Sequence, residues 1–160
     1  MFPAPTGAAQ AIPVFHCAGV LLEPGAVIEP GNFGRVIRRY GQQHNLYNRE
    51  TLLENYRTKH HPQAPSRLSC VYAAPSESNA VTFLSAQPTR WSDLIYRVEI
   101  LDPTATTFCA DLTQVADPTL YWSRVLPSHP NAELLIASPI KILERLTLGP
   151  AFSAPGSSAP

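Results

Sequence analysis

The order of apolar runs along the chain is the feature that most restricts its fold. Short runs rich in β-branched and aromatic residues recur in the second half of the chain and predict strands. They lie at residues 68–73, 94–100, 106–109, 133–137 and 140–143. In the first half, one strand-like run at 14–17 precedes two patterns typical of helices, from Asn32 to Tyr40 and from Asn48 to a point before Pro62. Helices mainly in the N-terminal half, followed by strands, predict an α+β fold and not a regular βαβ alternation.

Local signals refine the helices. Asn32 is a candidate N-cap of the first helix. The apolar stripe of the second helix is predicted to be Leu52, Leu53 and Tyr56. Ser76 predicts the N-cap of a third helix that ends near Ala86.

Size and charge limit the class of protein. A chain of 160 residues is the size of one domain, and its 12 basic and 12 acidic residues balance. A zero net charge argues against nucleic-acid binding driven by bulk charge, although a nucleic acid stays open as an enzyme substrate. No apolar run reaches the roughly 18 residues that cross a bilayer, so no membrane partner is expected. Residues 1–12 are rich in Pro and Ala, residues 148–160 are rich in Pro, Ser and Ala, and both predict disordered tails around a domain at 13–147.

The cysteines and the N-terminal residues bear on location. Cys17, Cys70 and Cys109 are sparse, odd in number and without CxxC spacing, which fits reduced thiols. The N-terminal residues lack the basic and apolar regions of a Sec signal peptide. The expected location is therefore the cytoplasm, or a target cell into which the protein is delivered without such a signal.

Three common types of site fit the sequence poorly. The adjacent His60–His61 pair has no His or Cys partner at helical spacing, so a solvated helix end is favoured over zinc and no metal is expected. Cys17 follows His16 on a strand, and neighbours on a strand face opposite ways, which argues against a Cys–His hydrolase. Residues 30–35 match neither GxGxxG nor a Walker A sequence. They are interpreted as a turn into a capped helix, or as a loop whose backbone and Arg35 contact a ligand phosphate.

Three separated stretches carry the functional interpretation. They are Phe15-His16-Cys17-Ala18-Gly19, Ser66 to Ala73, and Asn131 to Ile136. In this order they resemble the His-Tyr-Glu branch of the ADP-ribosyltransferase superfamily, which includes diphtheria toxin, poly(ADP-ribose) polymerases and rifampin ADP-ribosyltransferases. The chain is also similar to an uncharacterised bacterial family linked to that superfamily, through residues 30–35 and 65–70. The resemblance implies a split, mostly antiparallel pair of sheets that binds NAD⁺ as a substrate in the cleft between them, without a metal.

The resemblance also implies roles for the matching residues. Glu133 would be the catalytic carboxylate, and His16 would bind the adenosine ribose of NAD⁺. Tyr72 would stack on nicotinamide, with Phe83 as the second wall. Cys17 stands where poly(ADP-ribose) polymerases have Gly, and its backbone would pair with the carboxamide. The other candidate contacts to NAD⁺ are the hydroxyls of Ser69, Ser76 and Ser78 and, for the pyrophosphate, the guanidinium groups of Arg35 and Arg67.

These residue types suit the chemistry. Cleavage of the nicotinamide–ribose bond builds positive charge on the ribose, as in glycoside hydrolysis, and a carboxylate stabilises that charge. Glu99 competes with Glu133, although alternation with Val98 and Ile100 would turn Glu99 to solvent. We therefore expect an NAD⁺-dependent mono-ADP-ribosyltransferase with an unidentified acceptor, of a size that suits a toxin or effector. An NAD⁺ glycohydrolase on the same fold and a non-catalytic binding module stay open.

Overall fold

Two antiparallel sheets and a small set of helices form the computed structural model, which describes residues 13–90 and 92–147. The strands are β1 (Val14–Ala18), β2 (Val27–Ile28), β3 (Val71–Ala73), β4 (Leu94–Ile100), β5 (Thr107–Asp111), β6 (Ala132–Ile136) and β7 (Ile140–Arg145). The α-helices are α1 (Asn32–Tyr40), α2 (Tyr47–His60), α3 (Glu77–Ser85) and α4 (Pro118–Tyr121). The α+β class expected from the sequence is confirmed. The tails predicted at 1–12 and 148–160 lie outside the described residues.

The sheets are separate but joined at one point. The first has the order β1-β4-β7-β2 and the second the order β3-β6-β5, and neighbouring strands run antiparallel. Phe15 at the edge of the first sheet and Ala74 just after β3 exchange backbone hydrogen bonds of 2.9 and 2.7 Å. This bridge fixes β1 beside β3, and it therefore determines which side chains of the two sheets can meet.

Three apolar clusters hold these layers together. The first joins the two sheets and consists of Val14, Val71, Ala73, Tyr96, Val98, Ile136, Ile140 and Ile142. The second packs α2 and α4 on the second sheet and includes Leu53, Phe108, Tyr121, Trp122 and Leu135. The third packs α3 on β1 and includes Phe15, Ala80, Leu84 and Ile95. Leu135 and Ile136 belong to different clusters because successive residues of a strand face opposite sides of the sheet.

Several local predictions are confirmed, and one cap is wrong. The strand at 94–100 has the predicted bounds. Ser76 caps α3 by accepting a hydrogen bond from the Asn79 backbone N–H, and Ala86 follows the last helical residue. Asn32, in contrast, is the first residue of α1, and Gly31 with φ of 95° occupies the N-cap position. Only glycine adopts that left-handed backbone at little cost, so conformation decides this position and not side-chain capping.

One of the three residues predicted for the apolar stripe of α2 is wrong. Leu53 is buried, but Leu52 is 55% exposed, and the fully buried neighbour of Leu53 on the helix is Glu50. Charged residues thus occupy part of the inward face of α2. A search for apolar periodicity cannot find such a face, because burial there depends on ion pairs that the rest of the fold supplies.

Residues 30–35 and 65–70, which carry part of the resemblance, pack against each other. The Gly31 backbone N–H donates to the Cys70 carbonyl oxygen at 3.0 Å. A Cβ atom built on Gly34 would lie 1.8 Å from the Leu68 carbonyl oxygen. Gly34 is therefore required because backbone approaches backbone there, and the two stretches form one unit beside β3.

This close approach predicts that Gly34→Ala destabilises the protein. Alanine in place of glycine normally stabilises a helix by about 0.5–1 kcal/mol, whereas overpacking a tight contact costs about 1–3 kcal/mol. We expect a net loss in the free energy of unfolding, measured by urea denaturation. The control is Arg39→Ala on the exposed side of the same helix, which should change stability by less than about 0.5 kcal/mol. An unchanged or raised stability of Gly34→Ala would contradict the packing described for α1.

Candidate functional site

A cleft of about 680 Å³ lies where β1 and β3 meet, within the range of about 300–1,000 Å³ that is typical of ligand pockets. Residues from both sheets, from α3 and from the beginnings of α1 and α2 line it. Of the residues predicted for the site, those that line the cleft are His16, Cys17, Arg67, Tyr72, Phe83 and Glu133. The structure thus brings together side chains that are far apart in sequence, and their roles stay predictions.

The other four predicted contacts lie outside the lining of the cleft. Arg35, Ser69 and Ser78 are exposed residues. The Ser76 hydroxyl is engaged in capping α3, where it accepts from the Asn79 backbone N–H at 3.0 Å and donates to the Asn79 side-chain oxygen at 2.5 Å. A hydroxyl that satisfies a helix terminus is committed to the fold, so Ser76 is explained without a ligand.

His16 has a fixed tautomer. Its Nδ1 lies 2.7 Å from the Tyr72 carbonyl oxygen, so Nδ1 carries the proton and donates across the junction of the sheets. Burial is the main cause that lowers the pKa of His16, which keeps the ring neutral near pH 7. A neutral ring that donates from Nδ1 has Nε2 as a hydrogen-bond acceptor. A ligand hydroxyl is the natural partner of such an acceptor.

Aromatic rings form part of the cleft wall. Tyr72 packs edge-to-face on Phe33, with 5.7 Å between ring centroids. The Tyr72 hydroxyl donates to the Arg67 carbonyl oxygen at 2.8 Å, and burial raises the pKa of Tyr72 well above its usual range. Phe83 lies further along, beneath the Arg90 guanidinium at 4.9 Å. Phe33, which the sequence interpretation did not single out, is thus an aromatic neighbour of Tyr72 in the cleft.

Glu133 is the acidic residue with the most constrained position in the cleft. It is the second residue of β6, and its side chain is 12% exposed. Its Oε1 accepts from the Arg67 guanidinium at 2.6 Å and from the Tyr121 hydroxyl at 2.5 Å. Tyr72 pairs with Leu135 across β3 and β6, and Leu135 is two residues from Glu133, so Tyr72 and Glu133 share one face of the second sheet.

Arg67, which was predicted to bind the pyrophosphate, lies among acidic side chains. Its side chain is 7% exposed and is bound by two carboxylates, Glu50 and Glu133. Burial opposes the charged form, but the surrounding acidic groups outweigh it and raise the pKa of Arg67 well above its usual range. A guanidinium already held by two carboxylates is a poor partner for a phosphate, and Arg67 is better explained as the residue that holds Glu133.

Glu99, the competing carboxylate, lies away from this site. Its side chain is 42% exposed and pairs with Lys141 at 2.9 Å on the first sheet, and it is not among the residues that line the cleft. The alternation along β4 predicted that Glu99 faces solvent, and its position agrees with that prediction.

Besides Phe33, the sequence interpretation missed three side chains that shape the site, namely Glu50, Arg90 and Tyr121. Arg90 lines the cleft, pairs with Asp93 and donates to the Cys17 carbonyl oxygen at 3.3 Å. The spacing of Arg90 and Asp93 is a local signal, but it indicates only an ion pair. Nothing local distinguishes Glu50 or Tyr121, because their partners come from distant parts of the chain.

The described residues offer neither a metal site nor a membrane-spanning helix. Among residues 13–90 and 92–147, no group of three or more His, Cys, Asp or Glu side chains is placed to hold a metal ion. Nor does this part of the chain contain a helix of the length and hydrophobicity needed to cross a membrane.

Cys17 lines the cleft, yet its surroundings do not activate it. Its Sγ lies 3.9 Å from the Ala80 carbonyl oxygen, on the side of β1 that packs against α3. Burial raises the pKa of the Cys17 thiol to about 11. The thiolate is the reactive form, so a thiol with this pKa is a weak nucleophile at neutral pH.

The raised pKa predicts slow alkylation of Cys17. At pH 8 almost all of this thiol is protonated, and we expect iodoacetamide to modify it at least about tenfold more slowly than an ordinary exposed cysteine. The rate should increase as the pH rises toward 11. Peptide mass spectrometry reports each cysteine separately, and the urea-unfolded protein is the control. Rapid labelling of Cys17 in the folded protein at pH 8 would show an activated thiol and would favour a Cys–His hydrolase.

Comparison with known proteins identifies a family. A search of curated proteins finds no match for this chain. A family model described as a protein of unknown function, DUF2441, matches residues 23–147. The match covers most of the chain and includes Arg67, Tyr72 and Glu133, whereas His16 precedes it. The chain therefore belongs to the DUF2441 family.

Proposed function

We propose that this protein is an NAD⁺-dependent mono-ADP-ribosyltransferase, which cleaves the nicotinamide–ribose bond and transfers ADP-ribose to an acceptor. One observation carries the proposal: His16, Tyr72 and Glu133, from three strands of two sheets, line a single cleft. These are the residues to which the resemblance assigns the adenosine ribose, the nicotinamide and the catalytic carboxylate.

The architecture supports the same proposal. The resemblance implies a split antiparallel pair of sheets with the ligand between the halves. Here a sheet of four strands and a sheet of three strands meet at the Phe15–Ala74 bridge, and the cleft lies at that junction.

The lining of the cleft suits the parts of NAD⁺. The nicotinamide ring is flat and aromatic, which suits Tyr72 and Phe33. The ribose hydroxyls suit the Nε2 acceptor of His16. The pyrophosphate is anionic, and Arg90, which is held between Phe83 and Asp93, is the cationic side chain that we assign to it in place of Arg67.

The chemistry that follows is a substitution at the ribose C1′ atom. The C1′–N bond breaks, its electron pair leaves with nicotinamide, and positive charge develops on the ribose ring. Glu133 stabilises that charge as it forms, because its position is set before the substrate binds. A nucleophile of the acceptor then forms the new bond to C1′ and loses its proton. With water as the nucleophile, the same site would be an NAD⁺ glycohydrolase.

The position of Glu133 weighs against a non-catalytic module. A module that only binds NAD⁺ has no need for a carboxylate in the cleft, since binding energy is available from aromatic and hydrogen-bonding contacts. Glu133 lines the cleft, although each charge buried there is costly. We therefore favour the enzyme, and its small size suits a toxin or effector that acts in another cell.

The first test compares Glu133→Gln with Glu99→Gln. The Glu133→Gln change keeps the shape of the side chain but removes its charge, so nicotinamide release should fall by roughly 100-fold or more while NAD⁺ affinity changes little. The Glu99 side chain is 42% exposed and lies outside the lining of the cleft, so its variant should stay near wild type. The measurements are nicotinamide release, NAD⁺ affinity by calorimetry and the melting temperature of each variant.

Three outcomes of this comparison are informative. Free ADP-ribose without a labelled macromolecule would favour the glycohydrolase. Binding of NAD⁺ with no nicotinamide release by the wild type would favour the binding module. Loss of turnover in Glu99→Gln with an active Glu133→Gln would move the catalytic carboxylate to the first sheet.

The second test concerns the pyrophosphate. Arg90→Ala should weaken NAD⁺ binding by roughly 10-fold or more, because it removes a charge-assisted contact, and it should reduce the rise in melting temperature that NAD⁺ causes by mass action. Arg35→Ala, on the exposed surface outside the cleft, is the matched control and should bind NAD⁺ normally. Equal affinities of Arg90→Ala and the wild type would remove Arg90 from the site.

A further inference from the structure

A buried charge cluster stands behind Glu133, and the proposed reaction by itself does not require it. The Glu50 side chain is completely buried on α2, and the Arg67 side chain is 7% exposed on the loop before β3. Burying charges in this way is costly unless each one is paired and hydrogen-bonded. Apolar residues could fill the same space with little loss of stability. The presence of charged residues there therefore needs an explanation.

Glu50 fixes one side of the Arg67 guanidinium. Arg67 Nε donates to Glu50 Oε2 at 2.8 Å, and Arg67 Nη2 donates to Glu50 Oε1 at 3.3 Å. Two parallel hydrogen bonds set the plane of the guanidinium group as well as its position. Arg49 also pairs with Glu50 at a distance of 2.6 Å, and it approaches Glu50 from the solvent side.

The remaining edge of the guanidinium is thereby directed toward Glu133. Arg67 Nη1 donates to Glu133 Oε1 at 2.6 Å and also to the Tyr121 hydroxyl. The Tyr121 hydroxyl in turn donates to Glu133 Oε1. Tyr121 is completely buried, and its neighbour Trp122 is tied to α2 by a hydrogen bond to the Leu53 carbonyl oxygen at 3.0 Å. Both donors to Glu133 are therefore held by rigid surroundings.

The two donors meet the same oxygen of Glu133. Within the described residues, Oε2 of Glu133 has no hydrogen-bond partner. Every fully buried side-chain oxygen or nitrogen in this part of the chain does have a partner. Oε2 is consequently not fully buried, and Glu133 is a residue that lines the cleft. The network thus separates the two oxygens into one that is anchored and one that is available to a ligand.

We infer that Glu50 and Tyr121 are positioning residues that act through Arg67 to aim a single oxygen of Glu133 into the cleft. This inference rests on the proposed function, because it assigns the aimed oxygen to the ribose. Glu50 sets the guanidinium, the guanidinium and Tyr121 anchor Oε1, and Oε2 meets the substrate. Displacement of a catalytic group by about 1 Å is enough to cost roughly 100-fold in rate.

The test uses Glu50→Gln and Tyr121→Phe, which keep the shapes of the side chains. Each should lower kcat for nicotinamide release by roughly 10- to 100-fold and leave KM for NAD⁺ within about twofold. In a Glu133→Gln background, neither change should lower kcat further, because a positioning residue acts only through the group that it positions. Tyr121→Phe removes only a hydroxyl and keeps the test valid if Glu50→Gln fails to fold.

Glu54→Gln is the matched control. Glu54 lies one turn further along α2 and is also bound by an arginine, Arg57 at 2.7 Å, but it does not line the cleft. The loss of this ion pair in Glu54→Gln should lower the melting temperature and leave kcat unchanged. Normal kcat in folded Tyr121→Phe and Glu50→Gln, or further losses in the Glu133→Gln background, would overturn the inference.

A crystal structure of Tyr121→Phe or Glu50→Gln separates this inference from the proposed function. A Glu133 carboxylate that turns away from its wild-type position would support the positioning role even if the wild type released no nicotinamide. A Glu133 side chain that keeps its place in both variants would overturn the positioning role, even if the wild type were an active transferase.

Discussion

The burial of Arg67 is the interaction on which most of the site depends. Its guanidinium lies between Glu50 of α2 and Glu133 of β6, and the Tyr121 hydroxyl of α4 completes its surroundings. A buried cation is tolerated only when its partners arrive together, because each lost partner leaves an uncompensated charge in a medium of low polarity. The positions of α2, α4 and β6 are therefore linked through one side chain. The same link explains why a helix with few apolar residues on its inward face still packs against the second sheet.

The loop that carries Arg67 is itself held on both sides. Gly34 lets α1 approach the Leu68 backbone closely, and Gly31 donates to the Cys70 carbonyl oxygen. The Tyr72 hydroxyl reaches back to the Arg67 carbonyl oxygen. These contacts place the aromatic wall of the cleft, the arginine and the beginning of α1 in one rigid unit. Rigid support of this kind suits the role proposed for Glu133, since electrostatic stabilisation of a transition state depends on groups that are already in place.

The two ends of the cleft have different chemistry. Near β1, His16 offers a neutral acceptor, and Arg90 offers a cation between Phe83 and Asp93. Near β6, a carboxylate is surrounded by donors that fix one of its oxygens. A ligand with an anionic centre, ribose hydroxyls and a cationic aromatic end would match this sequence of groups, and NAD⁺ has that composition. This match between the charges of the proposed ligand and the charges along the cleft adds support to the proposal.

The sequence by itself determined the α+β class, the bounds of β4 and the Ser76 cap of α3, because these depend on local propensity, on alternation and on a hydrogen bond within three residues. The resemblance indicated Glu133, His16 and Tyr72, and the fold brings them to one cleft. Only the tertiary structure decided the partners of Arg67 and placed Glu50 and Tyr121 beside it. Glu50 lies 17 residues from Arg67, and Glu133 lies 66 residues from it. No local pattern marks a buried charge whose partners are that distant, because its burial becomes favourable only after the fold has assembled them.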